Sequence, residues 1–168
     1  MTPRESAESA EAEWNAARAA LRAGDRAGAE PRLRALVALA DAPARLRDQA
    51  EFQLAEIELA RGDTARAGAR LDALSRSRDP ALAADAVFLQ ARAKHSPRER
   101  AEAYARYLAG APPSPYREQA MVERGSALAD AGDIAGARAI VTALRGQATL
   151  PEVVHSALEG LERRVATP

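Results

Sequence analysis

Acid–base, nucleophilic and metal chemistry need His, Ser, Cys or paired carboxylates gathered in one place, and this chain supplies them thinly. It has two histidines and no cysteine. His95 and His155 lie 60 residues apart, with no His-x3-His or Cys partner, so neither fits a metal-ligating spacing. His95 falls at the end of an expected helix, where an imidazole complements the C-terminal dipole. His155 falls on the polar face of another helix, in solvent. Ser96 and Ser114 precede prolines at expected helix starts and read as N-caps, and no serine has a Gly-x-Ser-x-Gly setting. Glycines stand singly at turns or in Ala-Gly-Ala contexts such as Gly28, Gly68 and Gly136, which cradle no phosphate. Acidic residues are spread at helical spacing, with Glu102 and Arg106, and Glu159 and Arg163, as i,i+4 surface partners. The pattern predicts no catalytic residue, no metal ligand and no cofactor, and so a protein that is not an enzyme.

Composition narrows the class further. A chain of 168 residues with 47% apolar and 29% charged residues can bury a core of ordinary size. Aromatics are only 4%, so that core must be built from Ala, Leu and Val. The 24 basic and 24 acidic residues cancel, and they cancel locally: 13 against 14 up to residue 84, then 11 against 10. Neither half offers a basic footprint for nucleic acid or an anionic membrane. Apolar runs such as Ala35 to Ala40 are far short of the ~18 residues a membrane span needs, and no apolar signal region opens the chain. The expected protein is soluble. Its compartment stays open: cytoplasmic on the absence of a signal, periplasmic if a leader has been trimmed.

The elements that would position any site read clearly from caps and stops. Thr2, Pro3 and Glu5 predict a helix start, and Gly24 stops that helix while Asp25 caps the next. Gly62-Asp63 and Gly132-Asp133 repeat the device. Pro31 predicts a kink or a late start in the second helix. The third helix is expected over about Pro43 to Arg61 and the fourth from Thr64. Asp79-Pro80 and Ser96-Pro97-Arg98-Glu99 predict two more starts, and Ser114-Pro115 opens the last hairpin. A ninth helix is expected over about Leu150 to Val165, capped by Thr149, with Val154, Leu158, Leu161 and Val165 on one stripe.

Residue types also recur in one register. Trp14, Phe52, Phe88 and Val122 follow at intervals of 38, 36 and 34 residues. The same intervals relate Ala17, Ala55, Ala91 and Gly125; Ala29, Ala67, Ala103 and Ala137; and Leu33, Leu71, Tyr107 and Val141. Leu36, Leu74 and Leu144 continue the pattern, but the third unit has Gly110 there, which predicts a second helix stopping one turn early. Recurrence in several columns is the signature of a helical-repeat array. The expectation is one domain over residues 1–168, with units at about 3–41, 42–79, 80–113 and 114–148 and a capping helix at 150–165.

A small residue, a Gly-Asp turn seven residues later, an Ala five after that Gly and a large apolar residue four further on resemble the tetratricopeptide repeat motif. Gly125, Gly132-Asp133, Ala137 and Val141 match it, as do Ala55, Gly62-Asp63, Ala67 and Leu71, and Ala17, Gly24-Asp25, Ala29 and Leu33. The resemblance covers about residues 10 to 150. It departs from the family in its reduced aromatics, its longer spacings, Pro31, and a third unit without Gly-Asp. Pro113-Ser114-Pro115-Tyr116 with Ala120, Gly125 and Gly132-Asp133 is similar to repeats in bacterial cell-envelope proteins of the TolA-binding and outer-membrane-assembly lipoprotein kind. The resemblance implies an all-α, right-handed superhelical array of about four hairpins with a C-terminal cap. It implies a scaffold or adaptor that binds a peptide or helix of a partner protein in a concave groove lined by the first helix of each unit. Groove positions mapped on this chain are Asn15, Arg18 and Arg22; Gln49, Gln53 and Glu56; Asp85 and Arg92; Gln119, Glu123 and Ser126. Arg18, Arg22 and Arg92 are the groups expected to meet acidic partner residues, and the Lys/Asn clamp that some members close on a C-terminal carboxylate has no counterpart pair. The alternative is a homo-oligomeric structural or assembly component of a bacterial complex, with subunits pairing through the end helices.

Overall fold

Gly24, Gly62 and Gly132 all take left-handed backbone, with φ of +76°, +82° and +84°, a region that costs an L side chain about 1–2 kcal/mol. The computed structural model, which describes residues 3–110 and 116–166, shows why each glycine is followed by Asp. The glycine N–H donates three residues back, to Leu21, Leu59 and Ala129, and the Asp N–H donates five residues back, to Ala20, Glu58 and Leu128. That is the Schellman pattern, which satisfies carbonyls a helix end leaves open. The Asp carboxylate then accepts from the third N–H of the next helix: Asp25 from Gly28 at 2.8 Å, Asp63 from Arg66 at 3.2 Å and Asp133 from Gly136 at 2.8 Å. Two residues therefore end one helix and start the next.

Among the described residues the chain is all-α, with nine helices and no strand: α1 Pro3–Arg22, α2 Arg26–Ala38, α3 Ala44–Ala60, α4 Thr64–Leu74, α5 Pro80–Arg92, α6 Pro97–Gly110, α7 Arg117–Asp130, α8 Ile134–Arg145 and α9 Glu152–Ala166. Asp79 caps α5 through the N–H groups of Ala81 and Leu82, and Ser96 caps α6 through that of Glu99. The expected caps at Thr2 and Ser114-Pro115 lie outside the described residues.

Three expectations need correction. Helix α2 does not start late, because it runs from Arg26 straight through Pro31. The ring and Ala27, whose carbonyl loses its partner, are both on the exposed side, while Ala29, Leu33 and Leu36 on the other side are fully buried. Helix α6 does not stop early either. It reaches Gly110, the register at which α4 ends with Leu74, because Tyr107 in its last turn is buried against Phe88. Thr149 is not a cap: α9 starts at Glu152, and the Pro151 carbonyl accepts the N–H groups of Val154 and His155. A residue before proline is pushed out of the helical region, so Leu150 cannot begin the helix.

The described chain divides into two compact units, up to Ala86 and from Val87 on, with the boundary inside α5. In the first, α1 packs on α2 and α3, α2 on α3 and α3 on α4, around Ala17, Ala29, Leu33, Leu36, Leu46, Ala50, Leu54 and Ile57. In the second, α6 packs on α7, α7 on α8 and α9, and α8 on α9. Val122, Ile140, Leu144, Val154 and Leu158 form one cluster, and Ala137, Leu161 and Val165 another. The repeat columns supply these cores: Ala17, Ala55, Ala91, Ala29, Ala67 and Ala137 have no exposed surface. Gly125 belongs to the same column for a steric reason. A Cβ there would stand 2.5 Å from Leu161 Cδ2 and 3.3 Å from Ile140 Cγ2. Phe88 anchors the three tyrosines, stacked on Tyr116 at 4.9 Å and tilted against Tyr104 and Tyr107 at 5.7 Å.

Candidate functional site

Helices α1 and α3 cross over small residues, with Ala10, Ala17 and Ala50 fully buried. Side chains three and four apart on a helix share a face, so Glu11, Trp14, Asn15 and Arg18 form one edge on α1 and Arg45 and Gln49 the facing edge on α3. Together they line a cleft of about 450 Å³, with Leu46 at its apolar side. Trp14 is half-buried and packs on the unit's core. The Arg18 guanidinium carbon lies 5.9 Å from its ring centroid, within cation–π reach. Gln49 Oε1 is shut off from solvent and accepts no hydrogen bond among the described residues. The polar end that Gln49 presents to the cleft is therefore its amide N–H₂ group.

Three of the expected groove residues, Asn15, Arg18 and Gln49, thus come together. Arg22 is one turn beyond Arg18, exposed at the end of α1. Gln53 and Glu56 sit further along α3, where the Gln53 amide donates to the Glu56 carboxylate at 2.8 Å. Asp85, half-buried, and Arg92, exposed, both belong to α5. Gln119, Glu123 and Ser126 are half-buried along α7. Glu123, together with Arg92 and Arg100, acts on the Tyr104 hydroxyl. Burial first, and then the Glu123 carboxylate, push that phenol above its usual pKa, while the two guanidinium groups pull it back.

A larger cleft, about 580 Å³, runs between α3 and α4, but its charged groups already have partners. Arg70 pairs with Glu51 and with Glu58, whose carboxylate receives Nε at 3.0 Å and is buried. Asp48 accepts from Ser77 at 2.9 Å. Arg47 donates to the carbonyls of Leu39, Ala40 and Ala42. This network was readable in register and was missed: Glu51 and Arg70, like Glu13 and Arg32, are 19 residues apart, and Arg32 meets Glu13 at 3.3 Å. Trp14 and Arg45 were missed as cleft residues, Trp14 because it read as packing alone. Glu102 pairs with Arg98 at 3.6 Å, one turn before it, and not with the expected Arg106. Among the described residues no group of three or more His, Asp or Glu side chains is placed to hold a metal ion, and no helix is long and apolar enough to cross a membrane.

No family model, no curated protein and no solved structure matches the chain.

Proposed function

We propose that this protein is a non-enzymatic interaction scaffold, a right-handed array of four tetratricopeptide-like hairpins with α9 as its terminal cap, which holds a segment of a partner protein against its first helices. The observation that carries the reading is the α1–α3 cleft, where Asn15, Arg18, Arg45 and Gln49 stand beside a half-buried Trp14. Five polar or charged side chains beside the apolar Trp14 and Leu46 offer a peptide hydrogen-bond and ionic contacts around one aromatic anchor. The array reading draws support from the buried columns and from three turns of one geometry. The cap reading draws support from α9, where Val154, Leu158, Leu161 and Val165 are buried and His155 and Glu159 are exposed, the one-sided helix that an array end requires.

Photo-crosslinking tests the proposal. A benzophenone side chain at Asn15 or Gln119 is expected to capture a partner protein, and the same group at Glu159, on the exposed face of α9, is expected to capture none. Capture from Glu159 alone, or from none of the three, would overturn it.

A further inference from the structure

We infer that the α1–α3 cleft reads an extended peptide through a single acidic side chain, bound by Arg18 and Arg45 beside Trp14. The inference deepens the scaffold reading and rests on it. Within the first unit most arginines already have partners among the described residues. Arg4, Arg32, Arg34, Arg61, Arg66 and Arg70 each meet a carboxylate, and Arg47 is taken up by backbone carbonyls. Arg18 and Arg45 meet no carboxylate there, and both line the same cleft. The Trp14 ring lies within cation–π reach of Arg18, and a guanidinium set against an aromatic ring keeps N–H donors with which to take a carboxylate.

Gln49 adds the backbone requirement. Its amide oxygen is closed to solvent, so Gln49 meets the cleft through its amide N–H donors, and a helix interior has no carbonyl to give them because each is bonded within the helix. An extended segment presents N–H and C=O groups alternately along its edge, so its carbonyls can accept from this amide. Asn15 stands in the same lining to meet a second backbone group. Glu11 limits the charge. With Arg18 and Arg45 it leaves the lining with one net positive charge, which suits one acid among neutral neighbours and disfavours a run of acids.

The chain's one tryptophan is Trp14, so indole fluorescence reports on this cleft alone. The probes are nonapeptides of Gly, Ser and Thr, blocked at both ends, with a central Glu, a central Gln or four consecutive Glu. Blocked ends remove any terminal carboxylate from the comparison. The single-Glu peptide is expected to shift the emission saturably. The Gln peptide should bind about tenfold more weakly, the scale of one charge-assisted hydrogen bond. Arg45→Ala, at an exposed position, should lose a similar factor with unchanged circular dichroism, and Glu11→Gln should tighten binding. Raising salt should weaken it, since rim charges are screened. Equal binding of the Glu and Gln peptides, an unaffected Arg45→Ala variant, or no response to any peptide would each overturn the inference. Partner capture from Asn15 without a Glu-dependent response sinks the acidic reading alone; loss of both sinks the scaffold reading with it.

Discussion

Tyr104 shows how much one oxygen atom determines. The residue is 1% exposed, and its hydroxyl has no hydrogen-bond partner among the described residues. Burial, reinforced by the Glu123 carboxylate, holds its pKa above the usual value, so the folded protein keeps a proton that the unfolded chain gives up near pH 10. A group whose pKa is raised on folding supports the fold below the unfolded pKa, and that support is lost as pH rises beyond it. Stability should therefore fall from about pH 10 upward. Tyr104→Phe should flatten that fall and, having no bond to break, change stability at pH 7 by less than about 1 kcal/mol. Urea melts at pH 7 and pH 11 check both arms; a loss above about 2 kcal/mol at pH 7 would mean the hydroxyl is bonded after all. At this scale the sequence was half legible. Tyr104 and Tyr107 could be assigned to the apolar stripe of α6 from spacing, but the isolation of a hydroxyl or of Gln49 Oε1 depends on neighbouring helices that spacing does not locate.

Between elements, the pairing of α3 with α4 hangs on a charged contact. Glu58 is 3% exposed and its carboxylate is held by Arg70, which Glu51 also meets. Burial acts to lower the pKa of Arg70, but the two carboxylates outweigh it and raise it. Arg70→Ala strands a buried charge and should cost about 2–4 kcal/mol, somewhat less than a fully enclosed pair because Arg70 is partly exposed. Adding Glu58→Leu should recover most of the loss, because an apolar side chain needs no partner there; additive costs in chemical denaturation would refute the assignment. Helices α7 and α9 meet through Gly125. Gly125→Ala should destabilise by about 1–3 kcal/mol through overpacking, and the penalty should shrink in a Leu161→Ala background because Leu161 Cδ2 is the atom met first. Helix ends were legible wherever Gly-Asp or Asp-Pro stood, because both act within a few residues. Pro31, Gly110 and Thr149 misled because burial of Leu33 and Tyr107 held helices that local rules would have ended, and because Pro151 overruled the cap before it.

Over the whole chain, the helix pairs packed within each unit are neighbours or next neighbours in sequence. Contacts of that kind close short loops, and proteins dominated by them fold in microseconds to milliseconds. Stopped-flow refolding should show a main phase within about 10 ms, followed by a minor slow phase from the chain's 10 prolines isomerising in the unfolded state. A main phase of seconds would contradict the local wiring. The helical spacing was legible across the chain because most residues of the four columns are buried. The division at Ala86 was not, since it lies inside an unbroken helix, α5, with no composition change to mark it. The three Gly-Asp turns also set what substitution each of their positions can bear. Where the first and last copies place Gly28 and Gly136, the second has Arg66, whose N–H still reaches the capping aspartate, at 3.2 Å against 2.8 Å in the other two. A Cβ at Gly28 or Gly136 would press on the carboxylate of the capping aspartate, so a side chain there needs that carboxylate to shift, whereas the turn glycine, held at positive φ in all three copies, has no such adjustment open to it.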